Sequence, residues 1–160
     1  MEFRVPPAAR QEIEFAVAEA PEAVSQLLTR AWNAAYGVDA RPDDAFQSAF
    51  KAAEAALRPV ITPSDSNTSL LKLIEIFDAK PSKWELVIEE SRATFDPSRH
   101  HKLDGAQTII QMARTIAYGQ KARHGQDEES NSVTEARTAV HLAISISMAV
   151  KEEAFRRACA

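Results

Sequence analysis

Tyr118-Gly119-Gln120-Lys121-Ala122-Arg123-His124-Gly125 joins two long segments of helical period, and the reading of this join decides the fold. Upstream, from Leu103 to Tyr118, the residues Ala106, Ile109, Ile110, Ala113, Ile116 and Ala117 recur at spacings of three and four, which makes one helix face apolar. Gly119 is placed to end or bend that helix. Downstream, after the acidic run Gln126-Asp127-Glu128-Glu129-Ser130, Ser132-Val133-Thr134-Glu135 has capping-box spacing, in which serine and glutamate satisfy each other's free backbone donors. A helix is expected from Val133 to about Arg157, with Ala136, Ala139, Val140, Ala143, Ile144, Met148 and Val150 as its stripe. Two long antiparallel helices then form the spine of the molecule.

Working outward, Ser82-Lys83-Trp84-Glu85 is a second capping-box match and predicts a helix carrying Trp84, Leu86, Val87 and Ile88. Before it, Leu70, Leu71, Leu73, Ile74, Ile76 and Phe77 give an apolar helix that stops near Lys80-Pro81. Thr62 to Ser69 has turn-forming composition and reads as a surface crossover, since the apolar pattern on either side is too short for two cores. Arg41-Pro42-Asp43-Asp44 starts a helix with its acids where they complement the dipole. The stripe Ala45, Phe46, Ala49, Phe50, Ala53, Ala56 and Leu57 follows, and Arg58-Pro59 predicts a kink or stop. Nearer the N-terminus, helices are expected over Ala8 to Ala20 and Glu22 to Tyr36, the second closed by Gly37 as a left-handed cap. No period-two strand pattern is evident. The expected fold is all-α: a single-domain helical bundle of about six or seven helices, with residues 1–62 packing on a core spanning 68–158.

Composition agrees with a globular chain. The 160 residues are 45% hydrophobic and 26% charged, with only four glycines, which favours helix. A net charge of -4 excludes nucleic-acid binding through bulk basicity, so any such contact must be local. The single cysteine, Cys159, can form no intrachain disulfide and suits a reducing compartment. The longest apolar run, Ala139 to Val150, is short of the ~20 residues of a membrane span, and Met1 to Pro7 has no secretory core, so a cytoplasmic protein is expected.

The chemistry concentrates at the same join. Arg114, Lys121 and Arg123 are cationic, with no acid between Asp104 and Asp127, so the stretch is locally basic in an acidic protein. Arginine grips phosphate oxygens through a rigid fork, and histidine titrates near neutrality, which together suit metal-free RNA cleavage. In that reading His124 takes the proton from a ribose 2′-hydroxyl and Arg123 steadies charge on the phosphate. Arg114, Tyr118, Gln120 and Lys121 are then the substrate-binding candidates, while Gly119 and Gly125 let backbone come close. The ordinary alternative makes Arg123 and His124 helix-end cations pairing with Asp127, Glu128 or Glu129. His141 falls on the apolar face of the last helix and reads as a core histidine or as a partner of His124. His100-His101 lacks any supporting ligand at zinc spacing and reads as solvated loop; no metal or cofactor is expected.

The run Tyr118 to Gly125, followed by Glu135-Ala136-Arg137-Thr138-Ala139-Val140-His141-Leu142-Ala143-Ile144-Ser145, resembles the C-terminal domain of abortive-infection bacterial proteins, which is similar to the HEPN superfamily. Ala31-Trp32-Asn33-Ala34-Ala35-Tyr36-Gly37, Lys51 to Ala55 and Lys83-Trp84 carry the likeness upstream, so that it spans about residues 24–150. The resemblance implies a homodimer acting in a bacterial or phage defence or toxin-antitoxin system, with RNA, a protein partner or an antitoxin as partners and metal-independent RNase activity. The HEPN signature has an arginine, four to six intervening residues, then the histidine; here the corresponding positions before His124 are Ala117, Tyr118 and Gly119. Either Arg123 substitutes for it, or the chain is a non-catalytic dimerisation or protein-interaction module with a degenerate site.

Overall fold

Proline and alanine set the layout of the bundle. The computed structural model describes residues 5–88, 105–121 and 130–159. Helix α1 spans Pro7–Glu19 and α2 Glu22–Tyr36, each preceded by an extended proline, Pro6 or Pro21. Helix α3, Pro42–Ile61, opens with Pro42 in its first turn and Asp43 and Asp44 beside the positive end of its dipole. Helices α4, Leu70–Ala79, α5, Gly105–Gly119, and α6, Val133–Lys151, complete an all-α bundle. The capping box at Ser132 and Glu135 is formed in both directions.

The axis of the bundle is α3 rather than the α5–α6 pair. Its most extensive packing is against α6 and α2, and it also touches α4 and α5. Ala45, Ala49, Ala52, Ala53 and Ala56 are all buried, which lets neighbouring backbones approach from several sides. Ser48 and Ala52, off the expected stripe, are buried as well. A stripe marks one apolar face, whereas this helix is covered over more than half of its circumference, with Asp44, Gln47 and Lys51 left on the exposed side. Buried side chains from all six helices join one hydrophobic cluster, uninterrupted across Thr62 to Ser69. That loop is knit locally: Asp65 accepts from the Asn67 amide and the Thr68 hydroxyl, both at 2.9 Å, and Arg58 Nε donates to the Thr68 carbonyl at 2.8 Å.

Four local expectations are corrected. First, the Ser82 to Glu85 spacing does not open a helix: Pro81–Lys83 is a 3-10 turn and Trp84–Leu86 is a strand, β1. Second, α6 ends at Lys151, Glu153 turns the chain at a φ of 53°, and Phe155–Arg157 forms strand β2. The strands pair antiparallel, with Trp84 opposite Arg157 and Leu86 opposite Phe155. Trp84 and Phe155 flank Phe77 at ring distances of 5.4 and 6.4 Å, so burial of aromatics decides for strand over a local cap. Third, α3 does not stop at Arg58-Pro59 but runs through Pro59 to Ile61, and the Thr62 amide closes on the Arg58 carbonyl at 2.8 Å. Fourth, Gly37 is extended, with φ at -66° and ψ at 169°. Glycine is needed there because a Cβ would lie 2.5 Å from the Asn33 carbonyl oxygen. Among the described residues no helix is long and apolar enough to cross a membrane.

Candidate functional site

The end of the bundle where α5 meets α6 is built around Asn131. Helix α5 stops at Gly119, where a Cβ would come within 3.0 Å of the Phe46 ring on α3. Asn131, only 3% exposed, then straps the two helices together. Its side-chain amide donates to the Gly119 carbonyl at 2.8 Å, its Oδ1 accepts from the Lys121 amide at 3.3 Å, and its own amide donates to Asp43 at 2.8 Å. The adjoining ends of the two helices, and the facing of Ile116 and Ala139 across one groove, set α5 and α6 antiparallel.

The described cations of this region have carboxylate partners. Lys121 Nζ lies 3.0 Å from Glu135 Oε1. Glu135 also accepts from the Ser132 amide at 2.7 Å; that backbone hydrogen bond first, and Lys121 next, lower its pKa to about 2. Arg114 turns away from the join and grips both oxygens of Asp78 on α4, at 2.9 and 3.0 Å. Gln120 is buried at the wall of a cavity of about 540 Å3 that also presents Asp43, Asp44, Glu54 and Lys51. The two described cations, Arg114 and Lys121, are thus met by acids that α4 and α6 bring in. Tyr118 is 69% exposed. Arg123, His124 and Gly125 lie outside the described residues, as do His100 and His101.

His141 belongs to a different place. About two turns into α6, its Nε2 lies 2.8 Å from the Tyr36 hydroxyl at the end of α2. Trp32 stacks on Tyr36 at 4.4 Å and meets the His141 ring edge-on at 5.8 Å. The Arg137 guanidinium sits 4.6 Å over the Tyr36 ring and donates to the Ala35 carbonyl at 3.2 Å. Burial raises the Tyr36 pKa above its ordinary 10.0, against the opposing pull of Arg137. The phenol therefore keeps its proton at neutral pH. Trp32, Tyr36 and Arg137 were not among the sequence-derived site residues. The available signal was a pair of i, i+4 spacings, Trp32 with Tyr36 and Arg137 with His141, on segments 105 residues apart.

Tyr36 and Trp32 also floor a cleft of about 400 Å3 between α1 and α2, with Arg10, Glu14, Thr29 and Asn33 among its polar lining. A third hollow, of about 250 Å3, lies between α5 and α6 and is mostly apolar, with Ile116, Ala139 and Leu142 in its wall and Thr115, Thr134 and Thr138 around them. Among the described residues no group of three or more His, Cys, Asp or Glu is placed to hold a metal ion. Comparison of the chain with protein-family models, with curated proteins and with solved structures gives no match.

Proposed function

We propose that this chain is a non-catalytic helical recognition module that pairs with a second copy of itself through the α5–α6 end. The observation that carries this reading is the state of that end among the described residues: Lys121 faces Glu135, Arg114 faces Asp78, and a mostly apolar groove lies between α5 and α6. Tyr118, next to the groove-lining Gly119 in sequence, is exposed at the same end of α5. A two-fold arrangement places the aromatic knob of each copy in the groove of the other, as an isologous interface requires. The HEPN-like likeness, a place in bacterial defence and a cytoplasmic setting belong to this proposal, supported by the quoted motifs and by the lone exposed Cys159. RNA cleavage by Arg123 and His124 has its support in the sequence alone.

Light scattering on the purified protein should give the mass of a dimer, and Tyr118→Glu should give that of a monomer with an unchanged melting temperature. Total RNA incubated with wild type and with His124→Ala should survive equally. RNA cut by wild type and spared by His124→Ala overturns the non-catalytic reading; a wild type that stays monomeric overturns the pairing.

A further inference from the structure

We propose that the cleft between α1 and α2 binds a free α-amino acid with an apolar side chain. Its volume of about 400 Å3 falls within the range of small-ligand sites. The floor is apolar and pre-formed. Ile13 and Val17 supply one wall, and Trp32 and Tyr36 the other. The Tyr36 ring is held in place by His141 at its hydroxyl, Arg137 over its face and Trp32 against it. A ligand entering this floor therefore meets rings already ordered by contacts on the far side, and the entropy of arranging them is spent in folding.

The rim carries the specificity. Arg10 and Glu14 stand one helical turn apart on α1, both exposed, and both line the cleft together with Asn33 of α2. Arg10, Glu14 and Asn33 have no side-chain hydrogen bond or ion pair among the described residues. An arginine and a glutamate at this spacing could have bridged each other, although the order with the cation first is the weaker one. Here they stay apart. One cation and one anion, each without a partner among the described residues, thus flank the mouth of an aromatic-lined hollow. A zwitterion matches both: its carboxylate meets the Arg10 fork, its ammonium meets Glu14, and its side chain lies on Trp32 and Tyr36. A plain anion or cation leaves one rim charge unmatched, and an uncharged apolar molecule leaves both.

Isothermal titration calorimetry of the full chain with L-leucine, L-methionine and L-phenylalanine tests this, with two amputated analogues of leucine beside them. Isoamylamine lacks the carboxylate and 4-methylpentanoate lacks the ammonium. At least one of the three amino acids should bind saturably at one site per chain. Where leucine binds, each analogue should be weaker by about tenfold or more, the size of one lost charge-assisted hydrogen bond. Arg10→Gln and Glu14→Gln, both on the surface, should keep the wild-type melting temperature and each weaken the amino acid by about as much. Absence of saturable binding by all three overturns the site. Equal binding of leucine and both analogues, or indifference to both substitutions, overturns the assignment of a zwitterion. The site does not depend on pairing at the α5–α6 end, so Tyr118→Glu should bind the amino acid as wild type does.

Discussion

Two ends of this bundle treat their charges in opposite ways. Where α5 meets α6, Lys121 is closed against Glu135 and Asn131 spends its side chain on the backbone of the join, while Arg114, farther back on α5, is closed against Asp78. In the α1–α2 cleft, Arg10 and Glu14 sit one turn apart with no partner among the described residues, above rings that are themselves tied down. The first end uses its described polar groups to hold the fold; the second leaves Arg10 and Glu14 available. A charge-rich stretch of sequence therefore marks structure as readily as function, and what separates the two is whether tertiary neighbours have already answered the charge.

The sharpest way to break this comparison is to remove what supports the first end. Phe46 is 4% exposed and packs beneath Gly119, so Phe46→Ala should cost about 3–5 kcal/mol in urea unfolding, the range for a buried phenylalanine. Arg10→Gln, by contrast, should change stability by no more than about 0.5 kcal/mol, as surface sites without partners do. Next in size comes the strap. Asn131→Ala leaves the Gly119 carbonyl and the Lys121 amide without their side-chain partner, and should cost about 1–3 kcal/mol. A loss well below that range would mean that the join is held by α5 and α6 alone.

The helices were legible in the sequence because their signals are local. Apolar spacing located all six helices of the described residues, and Ser132 with Glu135 marked the start of α6 to the residue. The strands were not legible, because β1 finds its partner about 70 residues later and three residues of Trp-Glu-Leu offer too short a run for periodicity. The same local logic could not see the partners of Arg114 and Lys121. Counting acids along the chain from Asp104 to Asp127 found none, while Asp78 and Glu135 reach Arg114 and Lys121 from other helices. The cluster at Tyr36 was half legible: Trp32 to Gly37 and Arg137 to His141 were singled out as motifs, but nothing in one sequence says that they face each other.

A smaller effect sharpens the comparison at the second end. The Tyr36 hydroxyl is used by the fold even though its ring lines the cleft, so Tyr36→Phe strips His141 Nε2 of its partner and should cost about 1 kcal/mol. Thermal melts of Tyr36→Phe beside Arg10→Gln should therefore diverge although both residues line one cleft. Identical melts would place the Tyr36–His141 contact among surface decorations.

The smallest effect asks to which partner Glu135 belongs. Its pKa is lowered from 4.5 to about 2, so the carboxylate adds stability that is fully present above about pH 4.5 and lost as pH falls toward 2. Melting temperatures of wild type and Glu135→Gln should differ most above that window and converge at its acid end. The backbone hydrogen bond from Ser132 is the larger cause and Lys121 the lesser, so in Lys121→Met a carboxyl titration followed by NMR should still find Glu135 well below 4.5. A return of the whole shift in that variant would reverse the order of causes. Lys121 would then be the chief holder of Glu135, and the cap of α6 would depend on a side chain from α5's end and not on its own first turn.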